Sequence, residues 1–464
     1  MIKFKPTSKL QKEGLKIVQL LKRNGFKAFW VGGTVRDVLL KREIDNLDIA
    51  TSARPDQVEQ VLGKAGYKTK AVGRAYGTIL ATSKFGPVEL TTFRKEGQYI
   101  QRRRPQEVIY IDDYYKDSQR RDLTINAMYF DPIEKILLDP QKGKVDLKRK
   151  LIKFVGDPKK RIDEDALRML RAVRLATQLQ FRIENNSFAA IKTRAKYIQH
   201  ISGERIKAEL DKILISKNKE EGVRLLDGIG LLKFIMPEVY ALKNVHHKSK
   251  VYHLEGSVFE HTMLALKNSP HDNLILAYAA LYHDAGKATT AVPKTKPEGV
   301  VNSFPNHENV SADLFKSLAK RLKFSRKEVD SILWITKMHM SRMPFIRDMS
   351  EKKKLVLAKH KYFPLLIQMW RVDQLSKLVN EHGSIVTAKP SSYREGIKLL
   401  RKIESKKNLI NQIVKGKFIM SSVKIKSGPR VGLLKNVLEN KIIYGEIKNI
   451  ADARKFLKNY EKNT

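Results

Sequence analysis

The run Val31-Gly32-Gly33-Thr34-Val35-Arg36-Asp37, followed shortly by Asp45-Asn46-Leu47-Asp48-Ile49-Ala50-Thr51, decides how this chain is read. In the first stretch two glycines stand between an apolar strand, Ala28-Phe29-Trp30-Val31, and a helix predicted over residues 34–40. Such a turn leaves backbone N–H groups free to approach a phosphate, with Arg36 one turn inside the helix. Alone, a glycine pair there is more often just a tight turn. The second stretch alternates oxygen-bearing and apolar side chains on a predicted strand, and alternate strand positions share a face.

Carboxylates placed in that way can hold paired divalent ions, which activate a hydroxyl and stabilise a departing pyrophosphate. Only Asp48 of the alternating pair is a carboxylate, because Asn46 takes the other position. Glu89, on a predicted strand over residues 88–92, can supply a further oxygen. Upstream, a helix over residues 15–22 stops at Asn24-Gly25; downstream, strands over 77–82 and 88–92 flank the turn Phe85-Gly86-Pro87. Roughly the first 140 residues therefore mix strands and helices. Beyond Gly156-Asp157-Pro158 strand signals nearly vanish, a helix is predicted over 163–179, and the remainder reads as all-helical, with seams at 228–237, 294–305 and 389–393.

The 464 residues exceed one ordinary domain, so several units are expected. Lys plus Arg outnumber Asp plus Glu by 91 to 49, a net charge of +42 spread along the whole chain. A polyanionic partner is expected, although a ribosome, an anionic membrane surface or a lysine-rich genome would give the same surplus. The absence of cysteine excludes disulfides and thiolate metal sites. The first twelve residues have no signal-like apolar core and no run of about 18 apolar residues occurs, so a cytoplasmic protein without a membrane partner is expected.

Three further clusters carry chemistry. Arg120-Arg121-Asp122-Leu123-Thr124-Ile125-Asn126-Ala127 sets charge on an apolar element, where a capped helix start is the plain alternative. In Arg161-Ile162-Asp163-Glu164-Asp165-Ala166-Leu167-Arg168, Asp165 and Arg168 are expected three apart on one helix face, with Arg171 and Arg174 spiralling onward. They can read a base edge and bind a triphosphate, or merely form a salt-bridged solvent face. The ordered set His261, His283, Asp284, His307, His339 and Asp373 offers imidazole and carboxylate ligands from several helices, the adjacent His-Asp pair being able to bridge two ions.

In this order the head segments closely resemble class II tRNA nucleotidyltransferases, the CCA-adding family of the polymerase-β-like superfamily. The resemblance continues through Ile201-Ser202-Gly203-Glu204-Arg205 to Ser427-Gly428-Pro429-Arg430-Val431-Gly432. It implies an α+β fold: a polymerase-β-like nucleotidyltransferase head with a mixed sheet (residues 1–145), a helical neck (146–240), an HD domain (241–388) and a helical tRNA-binding tail (389–464). It implies addition of CCA to tRNA from CTP and ATP, with Gly33 and Arg36 on the nucleotide, Asp48 on Mg2+ beside Asn46 and Glu89, and Arg121 and Asp122 on triphosphate and ribose. Asp165 and Arg168 would select cytosine or adenine by Watson–Crick-like hydrogen bonds, and Arg171 and Arg174 would complete the pocket. Tyr99 to Arg104 with Pro105 resembles the family's loop that helps switch from CTP to ATP.

One departure matters. The family's strand carries Asp-x-Asp, and Asn46-Leu47-Asp48 removes a negative charge from that site. Asp45 would need a bulge to replace it. The turn His283-Asp284-Ala285-Gly286-Lys287 resembles the HD phosphohydrolase superfamily, which implies that the six His and Asp residues bind Mg2+, Mn2+ or Ni2+ for phosphatase or 2′,3′-cyclic phosphodiesterase chemistry, unless the domain is vestigial. A poly(A) polymerase or a CC-adding enzyme shares the head, and product analysis separates them. A signalling protein pairing nucleotidyltransferase with HD domain would lack the Asp165 and Arg168 helix, and a non-catalytic RNA-binding protein would incorporate nothing even with Asn46→Asp. The oligomeric state is left open.

Overall fold

The computed structural model describes residues 6–73, 76–97, 99–100, 104–105, 107–246, 256–296, 299–377 and 391–462. They divide into two units, Met1–Ala241 with Leu318–Phe324, and Leu242–Ser317 with Ser325–Thr464.

The first unit begins with α1 (Lys9–Arg23), whose capping Ser8 hydroxyl accepts from the Gln11 N–H while the Gln11 side chain accepts from Ser8. There follow β1 (Ala28–Val31), α2 (Gly33–Leu39), β2 (Leu47–Thr51), α3 (Pro55–Lys64), β3 (Lys68–Gly73), β4 (Thr78–Ser83) and β5 (Gly86–Thr92). Next come β6 (Arg94–Glu96), β7 (Tyr99–Ile100), β8 (Arg104–Pro105), β9 (Val108–Tyr110), α4 (Tyr114–Gln119), β10 (Tyr129–Asp131), β11 (Ile136–Leu138), α5 (Gly143–Lys148) and β12 (Leu151–Ile152). Seven strands form one mixed sheet in the order β11-β10-β1-β2-β5-β4-β3. Within it β2 runs parallel to β5 and antiparallel to β1. Because β1 and β2 lie centrally, Trp30, Val31, Leu47, Ile49 and Ala50 are all buried. Each large apolar side chain so removed from water contributes about 1.5–3 kcal/mol. Phe29, Phe93, Tyr114 and Tyr129 pack edge-on and stacked on one face of this core.

After the sheet come α6 (Pro158–Glu164), α7 (Leu167–Leu179), β13 (Arg182–Ile183), α8 (Asn185–Arg194), α9 (Gly203–Leu214) and α10 (Lys219–Gly228). The single helix expected over 163–179 is two. Asp165 sits between them in extended backbone (φ −142°, ψ 107°), its carboxylate accepting from the Leu167 N–H. Asp165 and Arg168 are therefore not i,i+3 neighbours on one helix. An aspartate that accepts hydrogen bonds from nearby backbone N–H groups competes with helix propagation, which explains the break.

The second unit is helical around its His and Asp residues, but the expected all-helical reading needs correction. β14 (Val292–Lys296) and β15 (Gly299–Ser303) form an antiparallel hairpin with Val292 opposite Ser303. Val292 and Val300 are exposed and Val301 is buried, so this hairpin lacks the row of alternate buried apolar residues that announces a strand. In the tail, Pro429 takes the first position of helix Pro429–Tyr444, and Leu434, Leu438 and Ile442 on that helix pack with Ile413, Ile419, Ala453 and Leu457.

Candidate active site

Where β1 passes into α2, Gly32 has φ 66° and ψ −133°, a conformation that a side chain disfavours. A Cβ there would lie 3.4 Å from Asp48 Oδ2 and 4.0 Å from Arg121 Nη1, and one at Gly33 would lie 3.4 Å from Arg36 Nη2. The glycine pair thus clears the space between a carboxylate and two guanidinium groups. On the strand beyond, the Asp48 N–H donates to Thr34 Oγ1 at 2.8 Å. The parallel register sets Asp48 beside Glu89. Burial, then Glu89, pushes the Asp48 carboxyl up to about 6, against Arg121, Arg36 and Arg171. Burial raises Glu89 as well, against Arg94. Two adjacent carboxyl groups that are both hard to ionise form a donor set that suits a divalent cation.

Asn46 is exposed and lies just before β2. The β2–β5 register runs unbroken from Leu47 to Thr51, so no bulge turns Asp45 onto the face of Asp48. Asp45, Asn46, Asp48 and Glu89 nevertheless line one cleft.

A wall of arginines faces these carboxylates. Arg36 forks onto Asp37 at 3.0 and 2.7 Å and donates to Asn126 Oδ1 at 2.8 Å. Arg121 donates to Asp117 Oδ2 at 3.0 Å and to the Tyr129 hydroxyl at 2.9 Å. The fully buried Asp117 also pairs with Arg120 at 2.7 Å and accepts from the Arg94 N–H at 3.0 Å. Burial alone would raise the Asp117 carboxyl, but Arg120 and Arg121 overcome it and hold the group well below the usual carboxylate range. Asp122, also buried, pairs with Arg171 at 3.0 Å. Arg174 pairs with Glu209 at 2.8 Å.

Asp165 Oδ2 accepts from Arg205 Nη2 at 2.7 Å. Arg168 is fixed by Glu164 Oε2 at 2.5 Å and by the carbonyl oxygens of Arg161 at 3.0 Å and Arg120 at 3.3 Å. One pocket is lined by Gly32, Gly33, Asp48, Arg121, Asp122, Asp165, Arg168 and Arg171, and an adjoining cleft by Gly33, Arg36, Glu89 and Arg174. Every residue expected at the metal or on the incoming nucleotide therefore lines this paired cavity. Sequence reasoning missed Asp117, Glu164 and Glu209 as partners of its arginines. The signal for the first two was present, since each stands three or four residues before an arginine that it pairs with. Of the expected switching loop, residues 101–103 lie outside the described residues; its flanks pair as β7 and β8, Tyr99 opposite Pro105.

The second unit gathers its six residues as two triads, His261 with His283 and Asp373, and Asp284 with His307 and His339. Asp284 spans them. Its Oδ2 lies 3.2 Å from His283 Nε2 and 3.7 Å from His261 Nε2, while its Oδ1 lies 3.3 Å from His307 Nε2 and 3.8 Å from His339 Nε2. His283, His307 and His339 each place Nδ1 2.7–2.9 Å from the carbonyl oxygen three residues back, Ala280, Phe304 and Thr336. An Nδ1–H donated there leaves Nε2 as the lone-pair nitrogen, the state a metal requires. Burial, then the nearby His283, pushes His339 down to about 3, so it stays neutral. Burial opposes ionisation of Asp284, but His283 and Lys287 hold it well below the usual range. These donors fit one or two divalent ions.

Family models match three consecutive segments: the poly A polymerase head domain over residues 28–153, the probable RNA and SrmB-binding site of polymerase A over 180–242, and the HD domain over 251–359. The CCA-adding enzyme of Anoxybacillus flavithermus is 39% identical over 243 residues, 52% of this chain and 60% of that protein. That of Staphylococcus haemolyticus is 41% identical over 219 residues, 47% of this chain and 54% of that protein. The alignments thus span little more than half of these curated relatives. The fold is shared more widely. The Bacillus stearothermophilus CCA-adding enzyme in complex with CTP matches with a TM-score of 0.64 at 24% identity, over 99% of this chain and 100% of that one. The Thermotoga maritima CCA-adding enzyme complexed with tRNA matches with a TM-score of 0.58 at 17% identity, over 97% and 95%. The chain thus carries, in this order, a poly A polymerase head domain, an RNA-binding segment and an HD domain, and over about half of its length it is similar to bacterial CCA-adding enzymes.

Proposed function

We propose that the head adds C, C and A, without a nucleic-acid template, to the 3′ end of tRNA from CTP and ATP. The observation that carries this reading is the single pocket in which Asp48 and the Gly32-Gly33 turn meet Arg121, Arg171, Asp165 and Arg168. Asp48 and Glu89, with the Asn46 side-chain carbonyl, would hold Mg2+, which when bound supplies positive charge to activate the 3′ hydroxyl and stabilise pyrophosphate. Gly32 and Gly33 let the incoming nucleotide approach the backbone, and Arg36, Arg121, Arg171 and Arg174 bind its phosphates, with Asp122 on the ribose. Asp165 accepts from the exocyclic amino group that cytosine and adenine share and that uracil and guanine replace with an oxygen, while Arg168 donates to the adjacent ring nitrogen.

The basic surplus supports RNA binding through phosphates. Among the described residues no helix is long and apolar enough to cross a membrane, and a cytoplasmic location is part of the proposal. So is the division into head (1–145), neck (146–240), HD domain (241–388) and tail (389–464). The spanning position of Asp284 supports a second activity in the HD domain, hydrolysis of a phosphate ester with Mg2+, Mn2+ or Ni2+ bound.

The test is incorporation of labelled CTP and ATP into tRNA lacking its 3′ end. Ordered addition of C, C and A by the wild type, abolished by Asp48→Ala and equalled or increased by Asn46→Asp, is the expected result. A run of adenylates would identify a poly(A) polymerase instead, and no incorporation by either wild type or Asn46→Asp would identify an RNA-binding protein.

A further inference from the structure

Arg205 and Glu209 stand one turn apart on α9, and each reaches a different residue of the nucleotide pocket. Arg205 Nη2 lies 2.7 Å from Asp165 Oδ2. Glu209 Oε2 lies 2.8 Å from Arg174 Nε. Asp165 needs such a partner because it sits outside both α6 and α7, where no helical neighbour fixes its side chain. The Leu167 N–H holds its Oδ1, and Arg205 alone holds its Oδ2 among the partners seen. The second terminal nitrogen of Arg205 is buried without a hydrogen-bond partner, so the guanidinium has a donor in reserve beside the pocket it lines.

The start of α9 is itself closely packed. A Cβ on Gly203 would lie 1.9 Å from the Arg321 carbonyl oxygen and 2.9 Å from Leu322 Cα, so backbone packs directly on backbone. Arg321 is in turn clamped by Glu238 at 2.7 and 3.2 Å. This anchored helix presents one cation to the base-reading carboxylate and one anion to the pocket arginine.

We infer that α9 is the positioning element of the nucleotide pocket: Arg205 sets the selectivity for the base by aiming Asp165, and Glu209 sets nucleotide affinity by aiming Arg174. This deepens the proposed nucleotidyl transfer and rests on it. Neither is a catalytic residue in this scheme. Loss of Arg205 frees a carboxylate to turn away from the amino group it reads, whereas loss of the Glu209 charge lets Arg174 drift without altering which base edge is read.

The experiment measures equilibrium binding and kcat/KM for CTP and UTP, on tRNA lacking its 3′ CCA, for wild type, Arg205→Gln, Arg205→Lys and Glu209→Gln, with melting temperatures alongside. Arg205→Gln is expected to lower the CTP-to-UTP ratio about tenfold, with Arg205→Lys recovering part of it, since discrimination rests on a well-aligned hydrogen bond. Glu209→Gln is expected to raise KM for both nucleotides about fivefold with their ratio unchanged. A ratio within twofold of wild type in Arg205→Gln, with both nucleotides weakened equally, would overturn the role of Arg205 and mark it as structural. If Arg205→Gln does not fold, Arg205→Lys decides, an unchanged ratio overturning the role. An unaltered KM in Glu209→Gln would overturn the role of Glu209. Because binding is read without turnover, wild type that prefers CTP but fails to incorporate it would count against the proposed reaction and leave the positioning roles standing.

Discussion

Asp48 shows how a residue can be costly to the fold it serves. Its carboxyl is pushed up to about 6, whereas the ordinary value is 3.8. Above pH 6 it is ionised in both folded and unfolded chains and the folded state carries the burial and repulsion cost. Between pH 6 and 3.8 the folded group takes up a proton first, so the cost is relieved as pH falls. Without metal, Asp48→Asn should therefore raise the melting temperature by about 2–4 °C at pH 7.5, with the gain shrinking toward pH 4.5. A gain independent of pH would show that the charge is not its source. Asp117 has the opposite character, since its charge organises Arg120 and Arg121. Asp117→Asn should raise KM for CTP about tenfold or more with tRNA affinity little changed, measured by steady-state kinetics and filter binding. The candidate ligands and arginines were legible in the sequence because their types and order are distinctive. Asp117 was overlooked despite its spacing before Arg120 and Arg121, because one aspartate in Tyr114-Tyr115-Lys116-Asp117 looks like any surface charge until β10 brings Tyr129 against it.

At the level of elements, the turn between β1 and α2 was readable from Gly32-Gly33 alone, and the strands around it from their apolar runs. The break at Asp165 and the hairpin β14–β15 were not, since the first replaces a helical turn within a helical pattern and the second has two exposed valines. The turn also yields a contrast between two glycines. Gly32→Ala strains a positive φ and sets a methyl 3.4 Å from Asp48 Oδ2, so incorporation should fall by about 10²-fold. Gly25 has φ +85° with nothing within 4 Å of an added Cβ, and Gly25→Ala should lower the melting temperature while leaving kcat near wild type. Equal losses of activity in both variants would mean that the turn acts only through stability.

For the whole molecule, a net charge of +42 makes ionic strength the variable to which RNA binding should respond most. The tRNA dissociation constant should rise at least tenfold between 50 and 200 mM salt, and a flat dependence would point to contacts other than phosphates. The gathering of the ordered histidines and aspartates was expected from the sequence, but their division into two triads was not, because it depends on the packing of helices far apart in sequence. That arrangement sets Asp284, a member of one triad, against two histidines of the other, and it turns ion counting into arithmetic on one side chain. Calorimetric titration with Mn2+ should register two equivalents in the second unit of the wild-type chain, one for Asp373→Ala and none for Asp284→Ala, so the site loses occupancy stepwise from its edge and all at once from its middle.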